Sequence, residues 1–389
     1  MEGASIERGV RATPLAAAGA ASGSGAFREA VAAASAGLNG ASSVVFAFPS
    51  GATAGEMPVA AAADEAGAPV VGMSGNGSIG GDGAIETGCS ALALSDSVAV
   101  GVGVGHDAGS NLRAATRDAA DIALAGILTS QNKILLLFLD TRTGDQADAV
   151  SGAYGVAGPE VPLAGGAAGG AEPFQIAGGE AIERSVVAVA LGSDSEIGLS
   201  QVHGCRMIGT PAIVTSSAGR VIHELNGRPA LDVFLEETGF AGVELDDGDF
   251  EALAVTHPLA QPELNRSERI RHILGRDGTG LVCATRVPEN AAVMFTRETP
   301  EEVVATAGQG VSEALASLGE APARGALIFD CAGRKRAAAD SLSHEVAGLL
   351  GAFPGKRPPL AGLFTHGEIA RIRGAKGDRN HALVVVALA

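Results

Sequence analysis

The sequence predicts an α/β protein of layered mixed sheets covered by helices. Three observations carry that reading. Short apolar runs bounded by Gly, Pro, Asp or Asn, at Val44–Phe48, Ser90–Leu94, Ile134–Leu139, Ser185–Leu191, Ala326–Phe329 and Ala382–Leu388, have the length and composition of buried strands. Alanine-rich segments of helical period alternate with them, as in folds whose helices cover sheets. A proline–glycine pattern recurs between the strand runs. It reads P-x-x-G-x-x-x-x-G-x-I at Pro69, Gly72, Gly77, Ile79 and again at Pro359, Gly362, Gly367, Ile369. Pro162, Gly165 and Gly170 repeat the offsets without the isoleucine. A strand precedes and another follows each copy, which gives a recurring strand, Pro/Gly turn, strand unit.

Taken in order, Phe27–Leu38 is an alanine-rich helix, and Leu112–Ile127 sets Arg and Asp against an Ala, Ile and Leu face. The segment "SSAGRVIHELNGRPALDVFLEETG" reads as a hairpin turning at Ser217-Ala218-Gly219 and again at Asn226-Gly227, then a helix from Pro229. The region from Gly242 to Glu298 reads as extended and mainly β, with its clearest turn at Arg276–Gly280. Thr299 is an N-cap, with Pro300 at the first helical position and Glu301 and Glu302 in the first turn. Arg336–Leu350 is the last expected helix.

The chain has 389 residues, 46% of them hydrophobic, enough to bury large cores and to exclude general disorder. It carries 56 glycines, no Trp, one Tyr (Tyr154) and a net charge of −17; Lys occurs only at 133, 335, 356 and 376. Such acidity repels phosphate backbones and anionic lipid, so neither nucleic acid nor a membrane surface is an expected partner. Cys89, Cys205, Cys283 and Cys331 stand far apart without a C-x-x-C pair, which suits reduced thiols. Arg8 and Arg11 precede "TPLAAAGAASGSG", whose small residues make a poor signal peptide, and no apolar run approaches the roughly 18 residues of a membrane helix. A soluble, cytoplasmic protein is expected.

The densest cluster of reactive groups is "FDCAGRKR", Phe329–Arg336. A thiolate phosphatase loop needs Arg six positions after the cysteine, and that position is Ala337. Cys331–Arg336 has the length of a sulfur-transfer loop, in which backbone N–H groups and cations lower a thiol pKa. No Walker loop or G-x-S-x-G element exists. What remains is a strand ending at Asp330-Cys331 followed by Gly333 and Arg334, a geometry suited to a carboxylate or another small anion; a solvated basic turn is the plainer alternative. Of the eight histidines, none forms a metal-spaced pair. His203 and His366 flank glycines, where the backbone can approach a ligand, and His381 begins the final strand.

Several segments together resemble FIST-domain proteins: "PVVGMSGNGSIG", "ETGCSALALS", "VHGCRMIGTPAIVTSSAGRVIHELNGRPALDVF", "ALIFDCAGRKR", "LAGLFTHGEIARI" and "NHALVVVAL", in the family's order. The resemblance covers residues 27 to 389 and implies an N-terminal segment 1–26, a FIST N-terminal domain 27–220 and a FIST C-terminal domain 221–389. It implies a signal-transduction module that binds a small ligand, with amino acids the proposed class and haem or nitric oxide sensing linked to some members. Output domains joined to the module elsewhere have no counterpart in this chain, so a separate signalling protein is the expected partner, with a homo-oligomer possible. Cys205 stands where an aromatic is common and His366 where tyrosine is common.

Carried over by residue, the resemblance selects Cys331, Gly333 and Arg334; Gly362, Thr365, His366, Gly367 and Glu368; His203, Gly204, Cys205 and Arg206; and Ser74, Gly75 and Gly77. The leading expectation is a sensor in which Arg334 binds a ligand carboxylate and Glu368 a cationic group. No catalytic residue and no metal is expected. The alternatives are a haem-based gas sensor with His203, His366 or another histidine as axial ligand, an enzyme with Cys331 as nucleophile, and a purely structural interaction module.

Overall fold

A computed structural model describes residues 14–38, 41–263 and 268–389. Arg8 and Arg11 of the N-terminal segment lie outside the described residues.

The chain builds three units of like order. The first runs β1 (Ala16–Ser22), α1 (Ala26–Ala36), β2 (Ser42–Ser50), α2 (Val59–Ala66), β3 (Val70–Met73), β4 (Ser78–Gly80), β5 (Gly83–Ile85) and β6 (Gly88–Ser95). The second runs β7 (Ala99–Gly105), α3 (Leu112–Ala125), β8 (Asn132–Asp140), α4 (Gln146–Ala157), β9 (Leu163–Ala168), β10 (Gln175–Ala177), β11 (Glu180–Ile182) and β12 (Val186–Ser193). The third opens with β13 (Ile197–Val202) and is then interrupted. The interruption comprises β14 (Arg206–Ala218), β15 (Val221–Leu225), β16 (Arg228–Pro229), α5 (Ala230–Glu237), α6 (Asp247–Thr256), β17 (Leu259–Pro262), β18 (Glu268–Arg271), β19 (Ile273–Asp277), β20 (Gly280–Cys283) and β21 (Ala292–Arg297). The third unit resumes with α7 (Pro300–Ala316), β22 (Gly325–Cys331), α8 (Ala332–Ala338), α9 (Leu342–Gly351), β23 (Leu360–Thr365), β24 (Glu368–Arg371), β25 (Asp378–Arg379) and β26 (Leu383–Leu388).

Among the described residues the strands form three six-stranded sheets, in the orders β1-β6-β2-β3-β10-β11, β7-β12-β8-β9-β24-β25 and β13-β26-β22-β23-β4-β5, and a fourth sheet in the interruption. Each of the three has the same plan: the strand before the Pro/Gly turn pairs in parallel with the strand after it. Each is finished by a hairpin from another unit. β10 joins β3, β24 joins β9, and β4 joins β23, so the exchange closes into a ring.

The central strands are apolar on both faces because both are buried. Phe46, Phe48, Leu136, Phe138, Leu327 and Phe329 point into one core shared by the three sheets. Val45 and Ala47 face a helix layer holding α1, Leu135 and Leu137 face α3 and α4, and Ile328 faces α7 and α9. At the centre Phe48, Phe138 and Phe329 form a triangle, with ring centroids 6.1, 6.0 and 6.1 Å apart. The small residues allow the layers to touch: a Cβ on Gly101, Gly103 or Gly105 of β7 would lie within 2.1 Å of a carbonyl oxygen of α3.

The recurring glycines have two physical causes. A Cβ on Gly72, Gly165 or Gly362 would stand 1.8, 2.2 or 2.6 Å from the carbonyl oxygen of Ala47, Leu137 or Ile328 in the parallel neighbour. Gly77, Gly170 and Gly367 turn the following loop at φ 115°, 102° and 104°, where side chains are strained.

Strands form at all six apolar runs, and Thr299 caps α7 in a capping box with Glu302. Two expectations are corrected. The mainly β reading after Gly242 missed α6, which Asp246 caps by accepting from the Asp249 N–H at 2.8 Å, and which buries Phe250, Leu253 and Ala254 on one face. The single helix expected over Arg336–Leu350 is two, α8 and α9, broken at Ala339 (φ 47°). A straight helix would hold residues 334 and 345 about 16 Å apart; the break lets Glu345 fold back onto Arg334 at 2.7 Å. No helix of the described residues is long and apolar enough to cross a membrane.

Candidate functional site

The strand ends of the three sheets converge. Asn76, Gly169 and His366 occupy matching positions after β3, β9 and β23, four residues past Gly72, Gly165 and Gly362. Their backbone N–H groups donate in a ring, Asn76 to Phe364 O (2.9 Å), Gly169 to Ser74 O (2.9 Å) and His366 to Ala167 O (3.0 Å). The Asn76 amide donates to His366 Nε2. Beside this junction lies a pocket of about 220 Å³, lined by Asn76, Cys331, Ala332, Gly333, Arg336, Thr365, His366, Gly367 and Asn380, and by His272, Leu274 and Ala284 of the interruption. A smaller recess of about 150 Å³ continues past His366, Asn380, Leu274 and Ala284 to Asp140, Gln146 and Arg220.

The three cations of "FDCAGRKR" have three separate roles. Arg334 is fully buried. Its guanidinium donates to Asp330 (3.0 Å), Glu345 (2.7 Å) and Val303 O (3.1 Å), and Glu298 lies at 3.6 Å. Lys335 Nζ donates to Asn76 O at 2.9 Å and to Glu86 at 2.6 Å, and lies over the Phe364 ring, anchoring the Asn76 loop. Arg336 lines the pocket with its side chain 57% exposed. The expectation that Arg334 receives a ligand carboxylate is therefore corrected: carboxylates of the protein already surround it, and the cation that meets the pocket is Arg336. Burial pushes Asp330 above the usual carboxylate range and Glu345 up to about 8, against the pull of the Arg334 guanidinium.

Glu368 is likewise buried and turned inward. The Thr365 hydroxyl lies 3.0 Å from Asp330 O and 2.8 Å from Glu368 Oε1. The hydroxyl can donate to either oxygen, and with Glu368 it closes a contact inside the protein. The other Glu368 oxygen accepts from the Ala382 N–H at 3.1 Å, and burial raises the carboxyl to about 8. An inward carboxyl with both oxygens bonded inside the protein does not hold a cationic ligand group, which corrects the second expected contact.

Of the other residues selected from sequence, Cys331, Gly333, Thr365, His366 and Gly367 line the pocket. Ser74 and Gly75 brace the Asn76 loop: Ser74 Oγ donates to Gly169 O at 2.8 Å and the Gly75 N–H to Pro49 O at 2.9 Å. Gly77 and Gly362 shape the strand ends described above. His203 to Arg206 do not line the pocket. His203 is mostly buried beside Glu268, Cys205 is buried, and Arg206 lies on the surface against Glu302. Gly204 is the one that matters to the site, because its N–H donates to Glu298 Oε1 at 3.1 Å and a Cβ there would sit 2.8 Å from that oxygen.

Sequence reasoning missed the next shell. Glu298 is buried and accepts from His381 Nδ1 at 2.9 Å; His381 Nε2 lies 2.8 Å from His272 Nδ1, and His272 lines the pocket. Burial works to raise Glu298, but the His381 hydrogen bond, the Arg334 guanidinium and the Gly204 N–H outweigh it and leave Glu298 below its usual value. Burial, then His381, Arg336 and His366, hold His272 well below the usual histidine value. His381 has φ 50°, an unusual backbone for a bulky side chain. Only the positions of His381 and Thr299 gave a local signal in sequence, as a strand start and a cap.

Cys205, Glu298 and His381 bring S, O and N atoms within 4.8 Å of one another. Glu298 and both His381 nitrogens are already hydrogen-bonded, and burial raises the Cys205 thiol well above its usual value, so Glu298 and His381 read as a hydrogen-bonded pair beside a buried thiol. The pocket does not fit a porphyrin: at about 220 Å³ it falls below the roughly 300–1,000 Å³ of drug-sized sites, and His366 Nε2 is held by Asn76. Burial also keeps the Cys331 thiol well above its usual value.

A family model of the FIST N domain matches residues 43–228, and one of the FIST C domain matches residues 230–371. An uncharacterised protein of Mycobacterium tuberculosis (strain CDC 1551 / Oshkosh) is 34% identical over 182 residues, 44% of this chain and 45% of that one. Another, of Mycobacterium bovis (strain ATCC BAA-935 / AF2122/97), is 35% identical over 182 residues, with the same coverage. The match thus spans less than half the length of these relatives. Among solved structures, cyanuric acid hydrolase from A. caulinodans aligns over 97% of this chain and 99% of that chain at 10% identity and a TM-score of 0.34, a likeness too distant to bear on function.

Proposed function

The chain belongs to the FIST-domain family of sensory signal-transduction proteins, and from that premise we propose that its pocket binds a small polar, amino-acid-like ligand as the input of a signal. The observation that carries this reading is the convergence of the ring of loop ends and the interrupting unit on one pocket, whose lining includes the polar side chains of Asn76, His272, His366, Asn380 and Arg336. Arg336 receives the anionic end of the ligand, by the preference of a guanidinium for carboxylates. The polar side chains and Gly333 and Gly367 surround the rest. Because the pocket lies between the sheet junction and the interruption, an occupant bridges the two and alters how firmly they hold together. A separate signalling protein reads that change.

The test is thermal melting with a panel of amino acids and small carboxylates. A ligand at 100 times its Kd adds about 2.7 kcal/mol to the folded state, and Arg336→Ala removes most of the shift for carboxylates. If no compound raises the melting temperature, or if the shift is unchanged in both Arg336→Ala and Asn76→Ala, this pocket is not the sensory site.

A further inference from the structure

The pocket contains more than a binding site needs. Glu298 is buried, fixed by the Gly204 N–H at 3.1 Å, and bonded to His381 Nδ1 at 2.9 Å; His381 Nε2 continues to His272 Nδ1 at 2.8 Å. His272 itself is held by its backbone N–H, which donates to Asn380 Oδ1 at 3.3 Å. The carboxylate can only accept, so His381 Nδ1 carries a proton. In neutral His381 the Nε2 lone pair must then accept from His272 Nδ1–H, which leaves the Nε2 lone pair of His272 as its remaining basic site.

We propose that this pocket is a general acid–base site, with His272 Nε2 as the proton acceptor and His381 and Glu298 as the positioning residues that set its tautomer. The substrate class is a small polar molecule whose anionic end meets Arg336 and which presents an acidic X–H bond to His272. In the step, the X–H bond breaks, its electron pair stays on the substrate, and a new N–H bond forms on His272. The imidazolium charge is offset through His381 by the Glu298 carboxylate. Return of the proton to another substrate atom gives an isomer of the substrate and completes the cycle without an oxidant or reductant. The inference rests on the pocket being the ligand site proposed above and adds that the ligand does not leave unchanged. The groups that face His272 are His381, Arg336 and His366, all potential cations, and together with burial they keep the imidazole neutral.

The experiment needs no ligand, so its failure is separable from failure of the melting assay. Diethyl pyrocarbonate acylates the unprotonated nitrogen of imidazole and is mapped by peptide mass spectrometry. A short unstructured histidine peptide serves as reference. With an ordinary pKa near 6.5, the reference rate falls about tenfold from pH 7.5 to 5.5, whereas the His272 rate changes less than twofold. Glu298→Gln keeps an acceptor for Gly204 but presents an amide N–H to His381. That reverses both tautomers and lowers His272 modification at least tenfold. Because this buried variant can fail to fold, the wild-type protein is also labelled with ¹⁵N-histidine. At pH 7 the expected spectrum shows His272 with Nδ1–H and a bare Nε2. An Nε2–H tautomer, an unreactive His272, or a rate that falls in step with the reference peptide overturns the proposal.

Discussion

Arg334 and Glu345 meet at 2.7 Å with both side chains fully buried, across the break between α8 and α9. The pair explains why the chain bends at Ala339 and why the most conspicuous arginine of the sequence is unavailable to a ligand. Removing one partner of such a pair leaves the other charged and unsolvated.

Arg334→Ala should therefore destabilise the protein by about 3–5 kcal/mol, because Asp330, Glu298 and Glu345 lose their shared cation. Arg336→Ala should change stability by no more than about 0.5 kcal/mol. Denaturant unfolding of both variants checks this. Equal stability of the two would contradict the burial assigned to Arg334.

The protonation of Glu368 gives a signed pH dependence. Its folded pKa, about 8, lies above the ordinary 4.5 of the unfolded chain, so the folded state binds the extra proton between those values. The contribution is full below about pH 4.5, falls as pH rises, and is gone above about 8. Glu368→Gln mimics the neutral carboxyl and keeps an acceptor for the Ala382 N–H. The melting temperature of the wild type should fall relative to Glu368→Gln across that window. Parallel curves for the two proteins would mean that Glu368 is ionised in the folded state.

The triangle of Phe48, Phe138 and Phe329 is the contact that all three sheets share. Phe138→Ala should cost about 3–5 kcal/mol, and Phe138→Leu less. Calorimetry should show one transition shifted as a whole in each. Separate melting of one sheet, with the others unaffected, would argue against a common core.

Gly165 has both a carbonyl oxygen 2.2 Å from its missing Cβ and φ 121°. Gly165→Ala should be more damaging than Gly158→Ala, whose surroundings are open. Soluble yield and urea midpoints compare them directly.

Much of the architecture could be read from the sequence because it is local. Val44–Phe48, Ile134–Leu139 and Ala326–Phe329 advertise strands buried on both faces, and the spaced glycines mark where strands crowd and loops reverse. The helix at Asp247–Thr256 escaped because Gly248 and four nearby acids look like a loop, although Phe250, Leu253 and Ala254 have helical spacing. The site was only half visible. Cys331, Gly333, Thr365, His366 and Gly367 announced themselves by neighbouring glycines. Glu298, His381 and His272 are 83 and 109 residues apart in their two contacts, and nothing near any one of them names the others. Arg334 and Glu368 were misassigned because sequence shows that a charge exists but not which way it points.

The ring of exchanged hairpins also sets an order of events during synthesis. β4, made near residue 78, finds its place only against β23, near residue 362. The first sheet in turn must wait for β10 of the second unit. Such distant pairings are slow to form. On the ribosome, the early part of the chain must remain unfinished until nearly the last strand has emerged, and a nascent chain stalled before residue 360 should present a strand edge open to chaperones.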